Sequence, residues 1–174
     1  MSAALERRTL YEELDRAHRP RIARLCRLLL ADPDEADDVT QDVMLKLLQA
    51  CETEVRQIAW APWLTRVAVN ACRDRRRGAW WRRWRLDHVE LAEDEIAGAG
   101  PSPEERVLGQ EEWRLLWQTF RRLPARQREV FVLRHVEGCS TQDVSEALGL
   151  NPGSVKRHLF RAVHRLRGAL GDRS

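Results

Sequence analysis

The chain has 174 residues, of which 33% are charged and 43% hydrophobic. That apolar content supports packed cores and excludes wholesale disorder, and nine glycines and seven prolines exclude a collagen-like or low-complexity polymer. The length fits one or two small domains.

No apolar stretch reaches the roughly 20 residues of a membrane-spanning helix. Residues 1–14 carry charges every few positions and have no signal-peptide core. Four scattered cysteines, Cys26, Cys51, Cys72 and Cys139, form no CxxC pair, which argues against a zinc knuckle or a disulfide scaffold. A reducing cytoplasm is the expected compartment.

The net charge of +3 hides strong segregation. Residues 32–54 carry net −7, residues 64–85 net +7, residues 87–112 net −8 and residues 152–174 net +5. Two basic surfaces suit a polyanion, and two acidic surfaces suit something else.

Along the chain the apolar spacing is helical throughout. Ile22, Leu25 and Leu29 mark a first helix. Asp32-Pro33-Asp34-Glu35 reads as a helix start, with Asp32 as N-cap and Pro33 in the first turn. The helix that follows places Ala36, Val39, Val43 and Leu47 on one stripe. Its outward side offers Asp38, Gln41, Asp42 and Leu45, which reads either as a docking surface for a basic partner protein or as an ordinary solvated face. A metal-dependent nuclease built on Asp37, Asp38 and Asp42 is a rival reading, weakened by the lack of a nearby histidine.

Pro62 is expected to open the next helix, with Leu64, Val67, Ala68 and Ala71 inward. Trp63, Arg66, Asn70, Arg73 and Arg77 fall on or near one face. Tryptophan can stack on a base, asparagine can read a base edge and arginine holds phosphate, a set suited to separated strands. The arginine run to Arg85, interleaved with Trp80, Trp81 and Trp84, ends this half. An acidic stretch with Gly98, Gly100, Pro101 and Pro103 is the best linker. The expected organisation is all-α: two small helical domains, 1–88 and 106–174, joined by a flexible acidic linker at 89–105.

The second half carries a helix-turn-helix pattern. Ser140 caps a short helix with Asp143 at the reciprocal position. Val144, Ala147 and Leu148 face inward, Gly149 permits the tight reversal, Asn151 caps the second helix and Pro152 takes its first position. Val155, Leu159, Ala162 and Leu166 form the inner stripe of that second helix. Ser154, Lys156, Arg157, Phe160, Arg161 and His164 are left outward, as a major-groove helix requires. Ser140 and Thr141 open the supporting helix, where free N–H groups can take a phosphate.

Four segments, in this order, make the chain resemble a bacterial extracytoplasmic-function (ECF) sigma factor, the smallest class of the sigma-70 family. They are EADDVTQD at 35–42, WLTRVAVN at 63–70, LPARQREVFVLRHVEGCS at 123–140 and GSVKRHLFRAVHRLR at 153–167. The resemblance spans nearly the whole chain and implies the roles of its parts. Asp37, Asp38, Gln41, Asp42 and Leu45 would dock on the clamp of core RNA polymerase. Cys51 to Trp60, with Trp63, Arg66, Asn70, Arg73, Arg76 and Arg77, would capture the melted −10 element of promoter DNA. Ser140, Thr141, Ser154, Lys156, Arg157, Phe160 and Arg161 would serve the duplex −35 element. An anti-sigma factor, in this family often membrane-anchored, is an implied partner. Three departures stand out: Glu54 where an aromatic is common, Cys139 where an apolar residue, commonly leucine, is usual and a small buried hydrophobe is expected, and the cluster of Trp80, Trp81 and Trp84 interleaved with arginines.

The sequence holds no Gly-rich phosphate loop, no Ser/His/Asp spacing and no metal-ligand cluster. No catalytic residue, metal, cofactor or small-molecule substrate is therefore expected. Two rivals share part of the pattern: a stand-alone helix-turn-helix regulator, and an interaction protein that binds polymerase without promoter specificity.

Overall fold

In a computed structural model the protein is described over residues 3–53, 58–83 and 103–171, with side chains over 5–53, 58–78 and 111–171. Among these residues there is no strand. The chain divides into two compact units, Met1–Val89 and Glu90–Ser174.

The first unit packs three helices, each against the other two: α1 (Ala3–Leu29), α2 (Pro33–Thr53) and α3 (Trp60–Arg83). α1 continues through Pro20, where the missing N–H forgoes a bond to the carbonyl four residues back. Asp32 starts α2. Its Oδ1 accepts the N–H groups of Asp34 at 2.9 Å and Glu35 at 3.2 Å, donors that the first turn of a helix cannot satisfy itself. The core is Ile22, Leu25, Cys26 and Leu29 from α1, then Val39, Val43, Met44 and Leu47 from α2, then Leu64, Ala68, Val69 and Cys72 from α3. Burying each large aliphatic side chain contributes about 1.5–3 kcal/mol. The Cys26 thiol lies below its ordinary range, chiefly because it shares a hydrogen bond with Cys72.

The inner stripe of α3 differs from the expected one. Val67 and Ala71 are half-buried, while Thr65, Val69 and Cys72 are buried. The helix also begins at Trp60, two residues before Pro62. The contacts with two neighbouring helices, α1 and α2, place the buried face about one residue away from the expected stripe. Thr65 enters the core because its hydroxyl donates to the Ala61 carbonyl at 3.0 Å, which satisfies the buried polar group.

The second unit contains α4 (Pro103–Arg121), α5 (Ala125–Phe131), α6 (Thr141–Leu148) and α7 (Pro152–Gly171). α4, α5 and α6 all pack on α7. α5 runs directly into a π-helical turn, Val132–Val136, in which the Glu137 N–H reaches back to the Val132 carbonyl at 3.0 Å. Gly138 at φ 67° ends this turn, a left-handed conformation that costs glycine little. The Cys139 N–H then closes on the Leu133 carbonyl at 2.9 Å, and the Arg134 guanidinium donates to the Cys139 carbonyl. Cys139 is half-buried rather than buried, and it is its backbone that is held on both sides.

Candidate functional site

In the first unit Asp37, Asp38, Gln41, Asp42 and Leu45 all lie exposed on α2, with Leu45 57% accessible. The spacing that buries Val39, Val43 and Leu47 leaves these positions no inner side to occupy. Their carboxylates are partnered within the unit. Arg27 of α1 donates to Asp37 at 3.0 Å. Arg75 of α3 reaches Asp38 at 3.4 Å and Asp42 at 3.7 Å. The sequence pattern did not single out Arg27 or Arg75 for this face, because their partners lie 10 and 37 residues away.

On α3, Arg66, Asn70 and Arg77 are exposed, and Trp63 and Arg73 are half-buried. Trp60 and Trp63 meet edge to face, with centroids 5.8 Å apart and planes at 87°, a favoured aromatic geometry. Arg76 is half-buried and donates to the Leu29 carbonyl at the end of α1 at 3.3 Å, so part of its hydrogen-bonding capacity serves the fold. Arg21, absent from the sequence expectations, ties α1 to the start of α3. It donates to Thr65 Oγ1 at 2.9 Å and to the Ala61 carbonyl at 3.1 Å. Residues 54–57 and 84–102, which take in Glu54, Trp84 and most of the expected linker at 89–105, lie outside the described residues, as do the side chains of Trp80 and Trp81.

The second unit contains the helix-turn-helix in the expected register. Ser140 Oγ accepts the Asp143 N–H at 3.1 Å, and Asp143 Oδ2 accepts the Ser140 N–H at 2.7 Å. This reciprocal pair holds the Asp143 carboxyl below the usual carboxylate range. Gly149 at φ 62° ends α6. The Ser145 hydroxyl donates to the Leu150 carbonyl inside the turn. Asn151 Oδ1 then accepts the Ser154 N–H at 2.8 Å and starts α7.

On α7, Val155, Ala162 and Leu166 are buried, whereas Leu159 is only half-buried, less than the 4-3-4 spacing predicts. Lys156, Arg157, Phe160, Arg161 and His164 are exposed; Thr141 on α6 and Ser154 are half-buried. Phe160 is 71% accessible, and its ring stacks nearly parallel on His164, with centroids 6.1 Å apart. Behind this face, α5 contributes Glu129, only 1% exposed and bound to Arg126 at 3.1 Å. His158 of α7 is pushed below its ordinary value by burial, then by Arg161, Arg157 and Arg126, with Glu129 opposing.

Comparison with known proteins assigns both units. Residues 14–82 match the family described as Sigma-70 region 2, and residues 113–166 match Sigma-70, region 4. An RNA polymerase sigma-E factor of Streptomyces coelicolor is 34% identical over 164 residues, covering 92% of this chain and 85% of that one. The chain belongs to the ECF sigma factors of the sigma-70 family. The ECF RNA polymerase sigma factor SigM of Mycobacterium tuberculosis is 32% identical, over 94% of this chain and 79% of its own. The fold is shared with the sigma factor RpoE of Bartonella quintana, solved with the anti-sigma factor NepR. That likeness has a TM-score of 0.72 at 22% identity and covers 94% of this chain and 98% of that one.

In this sigma factor the region 2 match contains the acidic face of α2 and the Trp/Arg/Asn face of α3, and the region 4 match contains the helix-turn-helix. No helix among the described residues is long and apolar enough to cross a membrane.

Proposed function

We propose that this sigma factor joins core RNA polymerase through Asp37, Asp38, Gln41, Asp42 and Leu45 of α2, and that it selects promoters with two DNA-reading faces. α3 would capture the melted −10 strand, with Trp60 and Trp63 offering aromatic surface and Arg66, Asn70, Arg73 and Arg77 offering phosphate and base-edge contacts. α7 would enter the major groove of the −35 duplex with Lys156, Arg157, Phe160 and Arg161, while Ser140 and Thr141 lie near the phosphates. The proposed organisation is 1–88 for polymerase and −10 contacts, 89–105 as linker and 106–174 for −35 contacts. The polymerase would do the chemistry and the sigma factor would supply promoter choice and help strand opening, with no catalytic group of its own.

The observation that carries this reading is the exposed α2 face in the same unit as the exposed Arg66, Asn70 and Arg77 of α3. A stand-alone helix-turn-helix regulator gives that unit no task. Cytoplasmic action under an anti-sigma factor is part of the proposal. It is supported by the structural likeness to RpoE, solved with NepR, and to CnrH, solved with the cytosolic domain of CnrY.

Run-off transcription on genomic promoter fragments, with core polymerase and with or without the protein, tests the reading. Discrete transcripts that need the protein are expected. DNA binding without such transcripts would return the protein to the stand-alone regulator class.

A further inference from the structure

The face assigned to polymerase docking is not a bare acidic surface. Its three carboxylates, Asp37, Asp38 and Asp42, are met by two guanidinium groups from the flanking helices. Arg27 is a loose counter-ion, since its side chain is 55% exposed and that of Asp37 53%. Arg75 is different. Its side chain is only 24% exposed, and it lines the groove between α2 and α3 together with Asp42, Leu45 and Ala71. Asp38 and Asp42 remain 65% and 58% exposed. A partner can reach both carboxylates, but Arg75 is already in place beside them.

Helix geometry separates Arg75 from the DNA-reading arginines. It stands two residues from both Arg73 and Arg77, and residues two apart do not share a helix face. Arg75 therefore belongs to the α2 seam rather than to the DNA face. Its distances of 3.4 and 3.7 Å are long for charge-assisted hydrogen bonds. One guanidinium is split between two carboxylates and satisfies neither fully. A basic partner surface can take over these carboxylates, but it must displace Arg75 or share them with it.

We propose that Arg75 is a built-in competitor for the polymerase. It neutralises part of the α2 face and holds the affinity for core enzyme below what Asp38 and Asp42 would otherwise give. Arg27 acts in the same sense, more weakly, at Asp37. This inference rests on the docking role proposed for α2.

The sign of the effect separates competition from simple scaffolding. The full-length protein carrying Arg75→Gln, Arg75→Lys or Arg27→Gln is titrated against core RNA polymerase at low and high salt, and each variant is also made with Asp38→Asn/Asp42→Asn. Arg75→Gln is expected to bind core about two- to fivefold more tightly at low salt, the range of an exposed ion pair. The gain should shrink at high salt as screening grows, and it should vanish on the Asp38→Asn/Asp42→Asn background. Arg75→Lys should stay near the parent protein, and Arg27→Gln should show a smaller gain. Arg27→Gln also supplies the answer should loss of the Arg75 stem unfold the unit. Unchanged or weaker binding by folded Arg75→Gln, with Asp38→Asn/Asp42→Asn still weakening binding, would overturn the competitor role and leave the docking reading standing. If Asp38→Asn/Asp42→Asn binds like the parent, the docking reading itself falls and the inference falls with it.

Discussion

Arg21 on α1 donates from Nη1 to Thr65 Oγ1 on α3 at 2.9 Å, across 44 residues of chain. Its Nη2 donates to the Ala61 carbonyl at 3.1 Å, and the Thr65 hydroxyl donates to that same carbonyl at 3.0 Å. One guanidinium thus fastens the first turns of α3, the segment that carries Trp60 and Trp63. Arg21→Ala should lower the unfolding free energy of the first unit by about 1.5–3 kcal/mol, the scale of hydrogen bonds to a charged group. Arg21→Lys should recover only part of this, because a single ammonium lacks the planar fork. Denaturant unfolding of the full chain checks it, and a midpoint unchanged by Arg21→Ala would remove the clamp role.

Asn151 supplies the cap of α7 locally, its Oδ1 accepting the Ser154 N–H three residues on. Asn151→Ala should destabilise the second unit by about 1 kcal/mol, and Asn151→Ser should be nearly neutral. Thermal unfolding followed by circular dichroism distinguishes them. Equal losses in both variants would show that the loop geometry, rather than the side-chain acceptor, starts the helix.

Arg157 and Arg161 stand exposed on α7 beside Phe160. Replacing both by alanine should weaken binding to −35 duplex DNA. A base contact is worth about 1–3 kcal/mol, and each lost phosphate contact should reduce the salt slope by about one. Titrations at several salt concentrations separate the two kinds of contact. Binding and slope that match the parent protein would take these arginines out of the DNA face.

His158 should make the second unit less stable in mild acid. Its folded pKa lies below the ordinary 6.5, first because of burial and then because of Arg161, Arg157 and Arg126, with Glu129 opposing. The unfolded chain therefore takes up the proton more readily than the folded one. The stabilisation from His158 is complete above about pH 6.5 and is lost as pH falls through the lower folded value. Melting temperatures of the parent protein should drop between pH 7.5 and 5.5, and His158→Gln should flatten that drop. The same slope in both proteins would assign the acid sensitivity elsewhere.

Much of the second unit was legible in the sequence because its signals are local. Ser140 with Asp143, Gly149, and Asn151 before Pro152 each act within three or four residues, so their geometry follows from the side chains present. The π-helical turn at Val132–Val136 has no such local signal. Apolar spacing does not distinguish it from the end of α5, and it depends on Gly138 and on the Cys139 N–H reaching Leu133. In the first unit the Asp32 cap and the α2 stripe were readable for the same local reason. The inner face of α3 was displaced because two neighbouring helices, rather than one periodic pattern, decide which side is covered.

The arginines show where the division falls. The sequence by itself determined an all-helical chain, the positions of its caps and the faces that carry acid and base, since periodicity and capping act within one helical turn. Which task each arginine performs was decided only by the tertiary structure. Arg21 fastens α3, Arg76 reaches the Leu29 carbonyl across 47 residues, and Arg75 turns to Asp38 and Asp42, while Arg66 and Arg77 remain exposed. These residues are chemically alike and close together in charge runs. Their partners are carboxylates, hydroxyls and carbonyls that become neighbours only once the helices pack, and a guanidinium goes to the acceptor that packing brings within reach.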